Sequence, residues 1–505
     1  MKNTKNFLII IIIFCVFFAT SMMFFRYHSQ KEKGGDNNNS PQGELLRSHD
    51  EDLFPQTLSL AEPVFQDRVC NIVDYGAVGG GKIMNTHAFA AAIADCAKLG
   101  GGEVLVPSGV WLTGAIALES NIQLHLDKGA KILFSGNIDE YLPLVRSRFE
   151  GVEYYNYSSP LSARNAKNVA ITGEGTIDGQ AEKSWWTSID EPIVTTSMSE
   201  LYRMGQDGVP LENRIFGKDK GLRPAFVEFF ECNTVLIDGV TFVNGPMWTI
   251  HPLYSDTVSI RNITIRTRDG RNTDGIVVDS SRNVSIEDSH FSTGDDAIAI
   301  KSGRDNDGMR VGRPSENILI KNCTVEEAHA ALALGSEVSG GVRDIFVDTI
   351  HVKDADFGIR MKSSLGRGAS VQAIRIRNIT IDNARIAAIE LDQMTGENVS
   401  VGTALTDFGD IHIENIACGW TRKPILINGS PEKPPHDISL THLSISASGT
   451  AFMENVRNVR IENLTLNSSR KGKESGIEIA DSEQVVIRQT NLPKEKIICR
   501  SGCMY

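Results

Sequence analysis

The stretch "DTVSIRNITIRTRDGRNTDGIVVDSSRNVSIEDSHFSTGDDAIAIKSG", Asp256 to Gly303, holds two copies of one short pattern. An aliphatic or β-branched pair at i and i+2 is followed by a few polar residues and then a second such pair. Alternation at i, i+2 is the strand period, and Asn, Asp and Gly punctuate turns. Earlier copies are "NVAITGEGTI" at Asn168 and "NTVLIDGVTF" at Asn233. Later ones are "NILIKNCTV" at Asn317, "DIFVDTIHV" at Asp344, "AIRIRNITI" at Ala373, "DIHIENIAC" at Asp410, "DISLTHLSI" at Asp437 and "NVRIENLTL" at Asn458. Beyond the second copy the period is on the order of 20–37 residues, in the solenoid range. Each unit is too small to bury its own apolar face, and stacking units buries a continuous core. The expected fold is all-β, a right-handed parallel β-helix. A β-propeller is the alternative, but its blades repeat more regularly.

Residues 86–98, "THAFAAAIADCAK", form the one clear helical pattern. Thr86 is the expected N-cap, and Phe89, Ile93 and Ala97 make an apolar stripe. This helix is expected to close the N-terminal end of the solenoid. The gap between the Asn168 and Asn233 copies is too long for one coil and is expected to be an inserted loop beside the working face. Trp185 and Trp186 in it could stack on a sugar or pack the loop.

The chain has 505 residues, 41% of them hydrophobic, and a net charge of −12. That balance is globular and gives no overall basic field for nucleic acid. Lys2 and Lys5 precede an apolar run from Phe7 to Phe25 that Arg26 ends. Residues 1–25 read as a signal peptide or an uncleaved signal-anchor, and residues 26–66 as a flexible linker. Residues 67–505 form the expected catalytic solenoid. A secreted or extracytoplasmic monomer follows, with membrane attachment through residues 7–25 as the anchored form. "CRSGC" places Cys499 and Cys503 to close a small disulfide loop, and Cys70 and Cys96 are a second candidate pair. No CxxC or HExxH spacing occurs, so neither a metal nor another cofactor is expected.

The opening stretch also carries Asp274 in one short apolar segment and Asp295-Asp296 in the next. Stacking sets Asp274 and Asp295 about one coil apart, on one sheet. Gly294 allows a bend that turns both Asp295 and Asp296 to one cleft. Arg360 and Lys362, two coils on, share a strand face. Taken singly, each aspartate reads as a turn residue and each cation as part of a solvated face. Together, crowded carboxylates beside cations suit glycoside hydrolysis, which needs one protonated and one ionised acid.

These motifs resemble glycoside hydrolase family 28, the polygalacturonase family, in its plant and bacterial branches. "NTDG" at Asn272, "GDDAIAIKSG" at Gly294 and "RMK" at Arg360 occur in the family's order. "VDYGAVGGGKIMNTHAFAAAI" is similar to the family's opening, and the likeness runs over roughly residues 70–480. The resemblance implies a pectic polysaccharide substrate and α-1,4-galacturonide cleavage with inversion. It implies Asp295 as general acid, Asp274 and Asp296 as the pair serving the water, and Arg360 and Lys362 as substrate-binding cations. Acid and base would then stand about 6.5–9.5 Å apart.

The chain departs from the family pattern in places. Its histidine position falls on Ala330, so His329, one residue early, is expected on the opposite face and receives no role. Thr395 stands where the family has a tyrosine, and Gly80 where it usually has an aspartate. Rhamnogalacturonan or xylogalacturonan hydrolysis, a β-helix lyase and a non-catalytic carbohydrate binder are the alternatives. The insertion leans toward chain-end action.

Overall fold

The computed structural model describes residues 58–183, 185, 191–396, 402–469 and 475–504. The expected signal or anchor segment, residues 7–25, and Trp186 lie outside them. Among the described residues no helix is long and apolar enough to cross a membrane.

The repeat becomes a right-handed parallel β-helix. One coil consists of Ile250–Leu253, Asp256–Arg261 and Thr264–Thr267. The next consists of Ile276–Asp279, Arg282–Glu287 and His290–Thr293, and each strand pairs in parallel with its predecessor. Further on the strands run through the corners, as in Ser315–Leu334, Val342–Lys362, Ser370–Asp392 and Asp407–Asn428.

The Asn and Asp punctuation has a backbone cause. Asn283, Asn317, Asp344, Asp410, Asp437 and Asn458 all turn a corner with φ between 51° and 57°. A left-handed conformation penalises most L-residues, and Asn and Asp tolerate it best after glycine. Their side chains then bond coil to coil: Asn317 donates to Asn283 at 2.6 Å, and Asn283 to Asp256 at 2.7 Å. The aliphatic residue after each corner points inward. Val258, Val284, Ile318, Ile345, Ile374 and Ile411 sit in register, and each is 0% exposed. Each such side chain contributes about 1.5–3 kcal/mol of transfer free energy.

The capping helix spans Thr86–Lys98 and buries Phe89 and Ile93 in the core. Its N-cap is Asn85, not Thr86, and Asn85 makes no capping bond. Instead its amide bonds Val78, Ile83 and Leu112, while Thr86 Oγ1 accepts from the Gly114 amide. Cys499 and Cys503 form the expected disulfide. Cys70 and Cys96 are buried free thiols.

The insertion contains helix Glu191–Gln206. A hairpin that the repeat pattern does not foretell, Val145–Phe149 with Val152–Asn156, joins it. Glu150 and Gly151 both take positive φ, the turn a tight hairpin needs. Phe149, Tyr154, Leu201, Tyr202, Phe216 and Leu222 from these segments pack on Trp248, Val277, Ala299, Ala330, Ala333 and Phe357 of the solenoid. Small residues on the outer face of the sheet let the inserted layer approach. Trp185 is 5% exposed and packs against Tyr141 and Tyr157, so it is a loop-packing residue.

Candidate active site

The loop carrying Asp274 is held from the insertion. Arg223 donates to the Pro246 and Arg271 carbonyls at 2.8 and 2.6 Å, and to Asn272 Oδ1 at 2.9 Å. Asn272 sits at φ 51°. One coil on, Gly294 does not take a positive φ. Its role is close approach: a Cβ there would meet the Gly270 carbonyl oxygen at 2.0 Å and Thr273 Oγ1 at 2.6 Å. The tight contact turns the chain so that Asp295 and Asp296 follow a corner, not an extended strand. Asp295 Oδ1 accepts from the Asp296 amide at 3.0 Å, and His329 donates its amide to the Asp295 carbonyl at 3.1 Å.

Asp274, Asp295 and Asp296 converge, each offering one oxygen within 4.8 Å of the others. That distance joins the nearest edges of the acids, whereas the expected separation of about 6.5–9.5 Å for an acid and base with water between them runs from group to group. The corner places adjacent carboxylates side by side, which a straight strand would not. Asp274 and Asp296 are 2% and 1% exposed, while Asp295 is less deeply covered and lines the open cleft.

Their environments differ in sign. Burial first, then the Asp295 charge, pushes Asp274 well above the usual carboxylate range. Burial and then the Asp296 charge raise Asp295. For Asp296 burial is again the largest influence and opposes ionisation. The ammonium groups beside it, Lys362 first and then Lys301, outweigh it and hold the carboxyl below its ordinary value. Lys362 Nζ lies 3.0 Å from Asp296 Oδ2. The other oxygen, Oδ1, is buried and accepts no hydrogen bond from the protein. Lys301 pairs with Glu337 at 2.8 Å and stands over the Trp248 ring.

A cleft of about 460 Å³ opens over Asp295, lined by Arg268, Glu327, His329, Asp356, Lys362 and Arg385 among others. Lys362 thus reaches the cleft. Arg360, on the same strand face, is engaged behind it. It donates to Glu390 at 2.6 Å and to His329 Nε2 at 2.8 Å, and stacks on Phe357. His329 also lines the cleft, against the expectation from strand alternation. The chain turns a corner here: Ala328 faces the interior core, Ala330 faces the inserted layer, and His329 projects between them. Accepting from Arg360 requires a bare Nε2, which puts the proton on Nδ1, 2.9 Å from Asp356.

Lys362→Ala should lower kcat/KM by about 1.5–3 kcal/mol, the worth of a hydrogen bond to a charged group. Removing the ammonium also lets the Asp296 pKa rise. The acidic limb of the pH–rate profile should therefore move to higher pH, with part of the loss common to acid and methyl-ester substrates. An unmoved limb would show that Lys362 does not hold Asp296 ionised.

Residues 212–462 match the sequence family described as glycosyl hydrolases family 28. A probable polygalacturonase of Vitis vinifera is 34% identical over 63% of this chain and 61% of its own length. The chain thus spans about three fifths of that relative. An exo-poly-alpha-D-galacturonosidase of Dickeya chrysanthemi is 26% identical over 80% of this chain and 72% of its own length. Among solved structures, a hyperthermoactive exopolygalacturonase from Thermotoga maritima is 35% identical. It superposes with a TM-score of 0.72 over 85% of this chain and 94% of its own. With that breadth of match behind the clustered aspartates, the chain belongs to glycosyl hydrolase family 28.

Proposed function

We propose that the protein is a polygalacturonase-like glycoside hydrolase that cleaves α-1,4-galacturonide linkages in pectin with inversion. The observation that carries this reading is the split within the acid cluster. Asp295, at the cleft surface, is held toward its protonated form, and Asp296, beneath it, toward its ionised form. Glycoside hydrolysis requires both states at once.

Asp295 gives its proton to the glycosidic oxygen as the C1–O bond breaks. A water bound to Asp296 Oδ1 loses its proton to that carboxylate as its oxygen bonds to C1. Asp274, held toward its protonated form, holds the water by hydrogen bonding. The close spacing of the three acids then puts the water against the Asp274–Asp296 side of the cluster, not midway between acid and base. Arg360 and Lys362 bind the substrate near the cleavage point, Lys362 directly.

Chain-end attack is the mode that the inserted layer favours, because it covers the outer face of the sheet next to the acids. The similarity to the Thermotoga maritima exopolygalacturonase supports the same reading. A pectic substrate puts the protein's work outside the cytoplasm, consistent with an exported chain.

Incubation with polygalacturonate, rhamnogalacturonan and xylogalacturonan tests the assignment. Reducing ends should appear fastest from polygalacturonate, with monomer dominating early products and no unsaturated uronate absorbance. That absorbance would mark a lyase. Preference for either branched polymer would move the substrate, and no release from any polymer would leave a binding protein.

A further inference from the structure

The corner that carries His329 continues past the cleft as a row. Ala328, Ala355, Ala384 and Thr421 pair in register on four successive coils. The residues that follow them, His329, Asp356, Arg385 and Arg422, occupy the same corner of successive coils about 4.8 Å apart, with one extra residue, Ile386, bulged into the third coil between Ala384 and Ala387. The first three are bonded in sequence: His329 to Asp356 at 2.9 Å, and Arg385 to Asp356 at 2.7 Å. Arg385 is further bonded to Asp354 and still lines the cleft.

The next coil differs. Arg422 is exposed and Lys423 half-buried, and neither has an ion-pair partner among the described residues. The carboxylate of Asp382, on the neighbouring coil, is turned to His351 at 3.0 Å. Beside them Trp420 is 38% exposed and Ile386 is 37% exposed. In a chain of net charge −12, two unpaired cations flanking an exposed indole at the end of the cleft row are not a generic surface. An indole face takes a pyranose ring, and cations take its carboxylate.

We propose that Trp420, Arg422 and Lys423 form a distal subsite for a uronic-acid polymer whose cleaved bond lies at Asp295. The proposal rests on the polyuronate reading of the active site and extends it. Each unit of a bound polymer beyond the cleft brings one negative charge, and this coil supplies the matching positive ones. The subsite raises the use of long chains relative to short ones and adds a salt-sensitive part to their binding.

The test compares the wild type with Arg422→Ala/Lys423→Ala and with Trp420→Ala on polygalacturonate and on the galacturonide trimer. The ratio of kcat/KM on polymer to kcat/KM on trimer should fall about 5–20-fold in each, chiefly through KM, as expected for exposed charge pairs and stacking. Added salt should erode the ratio in the wild type and barely change it in the double variant. An unchanged ratio would overturn the subsite. Polymer affinity is measured in parallel for both proteins. If the wild type releases no reducing ends, the reaction assignment fails. Weaker polygalacturonate binding by the double variant would still uphold the subsite, and equal binding would overturn it.

Discussion

Replacing Asp295 by asparagine should lower turnover by about 10²–10⁴-fold or more, the range for losing an acid catalyst. The amide keeps the shape of the side chain but has no acidic proton for the leaving oxygen. Stability should hold or rise at neutral pH. The sign follows from the raised pKa: a carboxyl that ionises less readily in the fold than in the unfolded chain destabilises the fold at pH above its unfolded value. Asparagine removes that repulsion from Asp296. Steady-state kinetics with a thermal melt measures both, and near-normal turnover would remove Asp295 from the mechanism.

Asp296→Asn should cost a comparable 10²–10⁴-fold, roughly, by removing the group that takes the proton from water. Its effect on stability should have the opposite sign. The Asp296 carboxyl is held below its ordinary value, so it contributes stability that is fully present above the unfolded pKa. That contribution is lost as pH falls through the folded pKa. The asparagine variant should therefore melt lower than the wild type at neutral pH, and the two should converge in acid. The variant also leaves the Lys362 ammonium without its carboxylate. Melting curves across pH for both variants give the comparison. Equal shifts of one sign for Asp295→Asn and Asp296→Asn would contradict the split protonation of the cluster.

The solenoid was legible because its signal is local and repeated. A left-handed corner calls for Asn or Asp, as in seven of the ten copies, and the next residues must alternate in all of them. The acids were legible from their motifs, and Lys362 from its place on the strand face it shares with Arg360. What escaped depends on corners. At a turn the i, i+2 rule lapses, so His329 and Ala330 both face outward and His329 reaches the cleft. Gly294 was legible as a special position, but its reason is contact with Gly270 and Thr273 on the neighbouring coil, which only the register reveals. Asp356 and Arg385 were missed for a related cause. They stand in line with His329, yet the spacing from coil to coil is unequal, so no fixed period marks them. The hairpin at Val145–Phe149 precedes the repeat and carried no pattern of its own.

The arrangement of acid and water is most directly read from the first product. Proton NMR of the sugar released in the opening moments, before mutarotation, reports the anomer at the new reducing end. Water held against Asp274 and Asp296 attacks the face opposite the leaving oxygen, so an α-linked galacturonide should give the β-anomer first. An α-anomer as the first product would mean that a carboxylate attacks carbon, as the short spacing of the cluster alone would allow, and would contradict the account.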